Sequence, residues 1–206
     1  MKHFKTIITI FVIVFLLGIV TSSWGALTES GSISYNNGLY ASGDNWANSS
    51  STLSWNVHQL SSGNYEYDYS FILPTNAKNI SHVIIQVSTN FTSADMLTGT
   101  TPNGSLGNWD GQGNSNLGIP ASLYGIKWDT SGTSFSWTIV TDRAPTLGNF
   151  YAKDGNADGG IYAYSGTSGV FGNNVVVPDT VTPLPAAAWL LGSGLVGLIG
   201  IRRKNV

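Results

Sequence analysis

The chain reads as all-β: an antiparallel β-sandwich of jelly-roll type, with an N-terminal signal peptide before it and a C-terminal transmembrane helix after it. Three observations predict this. Apolar and polar residues alternate with period 2 in run after run between residues 26 and 180. Gly, Asn, Asp and Ser cluster between those runs, where turns need residues that tolerate tight backbone geometry. Outside the two membrane segments no long stretch repeats at 3.6 residues, the period that a helix requires.

In chain order, Ile33–Tyr40 is the first expected strand. In the next, Leu53, Trp55 and Val57 share a face. Asn64–Leu73 follows, with Tyr65, Tyr67, Tyr69, Phe71 and Leu73 on one side and Glu66, Asp68 and Ser70 on the other. Further strands carry Val83, Ile85 and Val87, then Tyr124, Ile126 and Trp128, then Phe135, Trp137 and Ile139 within Ser134–Thr141. Asn149–Lys153, Ile161–Tyr164 and Val170–Val177 complete the series, and Thr92–Thr98 has room for one helical turn. Gly99–Pro120 shows no period and is rich in Gly and Asn, so it reads as a long loop of the kind that often carries function. Short strands with one apolar face bury it best as two packed sheets.

Composition narrows the function classes. The 206 residues include no cysteine, which excludes thiol catalysis and Cys-ligated metal. The formal net charge of −2 hides an asymmetry. Lys2, Lys5, Arg202, Arg203 and Lys204 sit at the termini. Between Glu29 and Asp179 only Lys78, Lys127, Arg143 and Lys153 stand against all 11 acids, a formal charge of −7. Such a domain repels phosphate backbones, so no nucleic-acid partner is expected.

The ends carry targeting signals. Lys2 and Lys5, the apolar run Thr6–Val20 and the small residues Ser23 and Gly25 form a secretory signal peptide over residues 1–25, cleaved after Gly25. At the other end, Val181–Pro185 leads into apolar Ala186–Ile201 and then the basic stop Arg202-Arg203-Lys204. Residues 186–201 as a helix would reach about 24 Å, a little short of a bilayer core. The basic stop places itself in the cytoplasm and residues 26–180 outside, as an extracellular domain. Pro183 and Pro185 keep the chain before the helix extended.

Pro183-Leu184-Pro185-Ala186, the apolar run from Trp189 to Leu198 and terminal Arg202-Arg203-Lys204 resemble a PEP-CTERM sorting domain in its Val-Pro-Leu-Pro-Ala variant. The resemblance covers residues 181–206, with Leu184 where the family more commonly has Glu and Thr182 where the variant usually has Val. It implies recognition by an exosortase-type membrane enzyme of Gram-negative bacteria that make exopolysaccharide. The tail would be removed or exchanged near Pro183-Leu184-Pro185. The partners implied are signal peptidase, the sorting enzyme, the inner membrane transiently and exopolysaccharide. The destination is the cell surface or extracellular matrix.

Catalytic and binding motifs are sparse. No Gly-x-Ser-x-Gly, His-Glu-x-x-His or P-loop pattern occurs, no catalytic residue is assigned, and the chain is expected not to be an enzyme. His58 and His82 alternate with polar or apolar strand residues and read as strand surface. Glu66 and Asp68, two apart on one strand face, read as a solvated pair rather than a glycosidase dyad. Asp154, Asn156 and Asp158, with Gly159 following, match the front half of a calcium loop, but Ser165 stands where the bidentate Glu belongs. A Gly/Asn/Asp turn explains the same residues, so no cofactor is required and calcium is the one to test. Trp46 and Trp109 fall in expected loops, where an indole either packs back as a plug or offers a sugar-stacking platform. The sequons at Asn48, Asn79, Asn90 and Asn103 follow from composition. The expected function is a non-catalytic surface or matrix protein associated with exopolysaccharide or biofilm. A lectin-like module using the loop tryptophans is the alternative, and a secreted hydrolase comes last.

Overall fold

The computed structural model describes residues 28–112, 115–155 and 160–178. The expected signal peptide, Pro183–Pro185 motif, transmembrane helix 186–201 and basic stop all fall outside the described residues. Among those described, no helix is long and apolar enough to cross a membrane.

The described chain is all-β, with two short 3-10 turns, Asp44–Trp46 and Ser93–Asp95. Strands β1 (Thr28–Tyr35), β2 (Gly38–Ser42), β3 (Thr52–Gln59), β4 (Tyr65–Ile72) and β5 (Ile80–Gln86) come first. Then follow β6 (Ser105–Trp109), β7 (Leu123–Asp129), β8 (Ser134–Thr141), β9 (Pro145–Gly148) and β10 (Phe150–Asp154). The last are β11 (Tyr162–Thr167), β12 (Val170–Phe171) and β13 (Val175–Pro178). One curled sheet runs β6-β7-β5-β10-β11-β2-β1-β3-β4-β8, with β12 paired to β11. A separate ribbon pairs β9 with β13.

The curl hinges on β1 and β2. A single strand was expected over Ile33–Tyr40; the chain instead steps sideways at Asn36-Asn37. Asn36 takes a left-handed φ of 62° and Gly38 one of 80°, a conformation that Asn and Gly tolerate better than other residues. Asn37 N–H donates to Ser34 O at 2.7 Å, closing the step. The strand thus leaves β3 as its neighbour and joins β11, handing the chain from one half of the sheet to the other.

The two halves face each other across the core. Phe71 on β4 lies 5.0 Å from Phe150 on β10 between ring centroids, and Trp137 on β8 lies 5.6 Å from Trp128 on β7. Tyr67, Tyr69 and Phe71 are buried, as the alternation in β4 predicts. Buried β13 touches β1, β3 and β5, and Tyr69 Oη donates to Val176 O at 2.7 Å.

A second, smaller core lies on the outer face of the β5/β10 half, built from Ile84, Leu123, Tyr151 and Tyr164. The segment after β6 folds down to cover it. Tyr151 Oη donates to Leu117 O at 2.7 Å, and Gly118, with φ 77°, lets the backbone pass where a Cβ would enter the Tyr162 ring. This covering corrects two expectations. Gly99–Pro120 is not one open loop, because it contains β6. Its residues Leu106 and Trp109 pack against different cores, so no one-face alternation marks it. Val170–Val177 is likewise not one strand: Asn173, at φ 46°, separates β12 from β13.

Candidate functional site

The strand register decides what the outer face of β1-β3-β4-β8 presents. Because side chains alternate across a strand, every residue opposite an inward Leu, Val, Tyr or Trp points outward. One row across the strands is Thr28, His58, Glu66 and Val140; the next is Ser30, Asn56, Asp68 and Thr138. The third is Ser32, Ser54, Ser70 and Ser136. Val140 is buried beneath the segment around Leu97–Thr100, and the rest is a sheet surface made largely of hydroxyls, with an amide, an imidazole and two carboxylates grouped toward one end.

A groove of about 460 Å³ runs over the second and third rows, with Thr101 and Pro102 forming one wall. Its floor is tied together by short bonds. Thr138 Oγ1 donates to Asp68 Oδ1 at 2.7 Å, and Ser136 Oγ donates to Ser70 Oγ at 3.0 Å. His58 Nε2 stands 3.3 Å from Glu66 Oε1, both side chains about a third exposed. Glu66 and Asp68, expected as an ordinary solvated pair, therefore belong to a partly enclosed cluster with His58.

The tryptophans expected to compete between plug and platform resolve differently from a sugar platform. Trp46 is fully buried, its indole N–H donating to Lys78 O at 2.9 Å and its ring meeting Phe71 edge-on at 5.8 Å. It is a plug, because the 3-10 turn turns it inward. Trp109 lies on β6 rather than in a loop. Its N–H donates to Gly125 O at 2.9 Å, and Lys127 Nζ sits 5.3 Å over its ring. A cation already occupies the face that a sugar would stack on.

His82 also departs from its expected surface position. It is 5% exposed, enclosed by the segment that covers the second core, with Nε2 3.0 Å from Asn116 Oδ1. Burial, reinforced by Lys127, lowers its pKa from 6.5 to about 4, against the opposing hydrogen bond to Asn116. His82 is therefore held neutral. Of the candidate calcium loop, Asp154 is buried, and its two carboxylate oxygens have no hydrogen-bond partner among the described residues. Asn156 and Asp158 lie outside the described residues.

No family model matches the chain, and neither a curated protein nor a solved structure matches it. The residues themselves carry the functional reading. The groove had a trace in the sequence, namely Ser, Asn, His, Glu and Asp at the outward positions of β3, β4 and β8. Only the register assembles them into one surface.

Proposed function

We propose that this chain is an exported, non-enzymatic surface or matrix protein whose β-domain contacts exopolysaccharide through the outer groove of β3, β4 and β8. Residues 1–25 serve as the signal peptide, 26–180 as a jelly-roll-like sandwich outside the membrane, and 181–206 as the sorting tail with its transmembrane helix. The two sheet halves packed across one core support the sandwich reading. The single observation that carries the binding proposal is the groove itself. It offers hydroxyl, amide and carboxylate groups on a rigid, open sheet, the chemistry that pairs with sugar hydroxyls.

The lectin alternative moves with it. Burial of Trp46 and the Lys127 cap on Trp109 remove the stacking platforms, so a selective lectin would use the same groove. In gels cast with polysaccharide extracted from an exosortase-bearing host, the purified protein should be retarded, and Ser70→Tyr, which fills the groove, should run freely. Equal retardation of both proteins would sink the groove assignment. A glycan array then separates the two roles: one preferred sugar marks a lectin, and broad weak retention marks a matrix component.

Processing is tested separately. Intact mass of surface-extracted protein should show a chain beginning at Ala26 and lacking residues after about Pro185. Retention of Ala186–Val206 in cells that have the sorting enzyme would reduce the tail to a plain anchor.

A further inference from the structure

We propose that His58, Glu66 and Asp68 form a binding site for a divalent cation of the zinc class at the end of the outer groove. One ligand atom from each residue lies within 4.8 Å of the other two. The register explains the convergence. His58 on β3 is directly opposite Glu66 on β4, and Asp68 is the next outward residue along β4, opposite Asn56. A β-sheet holds such neighbours at fixed spacing, so the cluster needs no loop to assemble it.

The distances fit a metal of that size. Zinc bonds nitrogen and oxygen at about 2.0–2.2 Å, so two ligands of a tetrahedral site stand roughly 3.3–3.6 Å apart. The His58 Nε2–Glu66 Oε1 separation of 3.3 Å already matches that edge. The other two edges lie within 4.8 Å and would shorten to that length by small side-chain rotations on binding.

Asp68 also has the outer partner that ligating carboxylates usually have. Thr138 Oγ1 donates to Asp68 Oδ1 at 2.7 Å and orients the carboxylate. Among the described residues neither acid pairs with a Lys or Arg, and Glu66 pairs with His58. Two carboxylates so close, with no fixed cation beside them, favour a metal that neutralises both. The imidazole makes zinc-class metals a better fit than calcium or magnesium, which prefer all-oxygen sites.

Three protein ligands leave a fourth position open, and Asp68 lines the groove. A sugar hydroxyl or uronate carboxylate would complete the coordination there. Only that last step rests on the saccharide reading; the metal site stands or falls on metal alone.

The test uses the full chain, purified in mild detergent without a polyhistidine tag and stripped with chelator. Titration calorimetry with zinc chloride should show one saturable site that a hundredfold excess of calcium or magnesium does not displace. His58→Gln and Asp68→Asn should each weaken zinc at least tenfold, and Thr138→Val by a factor of about 10, as loss of an outer partner does. Asp129→Asn, a change at a strand end outside the cluster, should leave binding unchanged. Cobalt(II) should give tetrahedral visible absorption that Asp68→Asn abolishes, provided circular dichroism shows the variant folded. Absence of saturable zinc binding, or full binding in both His58→Gln and Asp68→Asn, would overturn the site and leave a cross-strand ion pair. The groove would still be testable by gel retardation without metal.

Discussion

Trp46→Ala should destabilise the domain by about 3–5 kcal/mol, the range for emptying a buried large aromatic position. Trp46 is wholly enclosed, packs on Phe71, and holds the Lys78 carbonyl with its indole N–H. The alanine variant would lose the packing, open a cavity and strand that carbonyl. At 2–4 °C per kcal/mol for a domain of this size, the melting temperature should fall by roughly 6–20 °C. Trp46→Phe, which keeps much of the ring but not the N–H, should fall between. Urea denaturation of the three proteins measures this, and a loss below about 1 kcal/mol for the alanine variant would mean that Trp46 does not close the core. The groove-borne polysaccharide retention proposed above should be unchanged in the folded fraction, since a buried indole lies away from the groove.

The second large effect is on pH. His82 has a folded pKa of about 4 against 6.5 for the free side chain, chiefly through burial and then Lys127. The sign follows from proton uptake. Between about pH 6.5 and 4 the unfolded chain takes a proton that the folded chain refuses, so stability is complete above pH 6.5 and falls as the pH drops toward 4. A gap of that size corresponds to about 3 kcal/mol at most. Lys153 lowers the His82 pKa further and Asp129 raises it, so together with Lys127 they set how far down in pH the fall extends. Asp95 acts lower on the scale. Although desolvation opposes it, bonds from Thr92 and Arg143 hold its pKa below 3.8, and its contribution is lost only as the pH falls through that lower value. His82→Gln should flatten the slope between pH 6.5 and 4 in denaturant titrations and leave the more acidic limb intact. An unchanged slope would show that the ring is open to water.

How far the sequence could be read depended on whether one strand face or two were covered. In β4 one face is core and the other borders water, so Tyr67, Tyr69 and Phe71 against Glu66, Asp68 and Ser70 announced the strand and its orientation. β5 was legible as a strand but not as one covered twice. Ile84 is buried along with Val83 and Ile85 because a distant segment folds over its outer side. The same covering hid His82, whose alternation with Ile84 and Gln86 left its side of the strand open to a surface reading. Strand β6 stayed silent because it offers one apolar side chain to each of two cores. The turn at Asn36-Asn37 carried the right residues, yet its sideways step depends on β11, which joins more than 120 residues later. The candidate site was half legible: its residue types stood in the sequence, while their assembly into a groove needed the pairing of β3, β4 and β8.

The curled sheet ends in two outermost strands, β6 and β8. A free strand edge is a template on which a second chain can zip. Along the second half of β8 that template is already occupied. Thr101 and Thr138 exchange a pair of backbone bonds at 3.0 and 2.8 Å. Val140 receives the Leu97 N–H on its carbonyl and gives its own N–H to Thr100 Oγ1 at 3.0 Å. At the opposite margin β6 is only five residues long. The matrix role proposed above would gather the protein at high local density, where protection of this kind counts. With its margins blunted, the domain can crowd against its own copies as separate folded units, without the strand-to-strand stacking that builds fibrils.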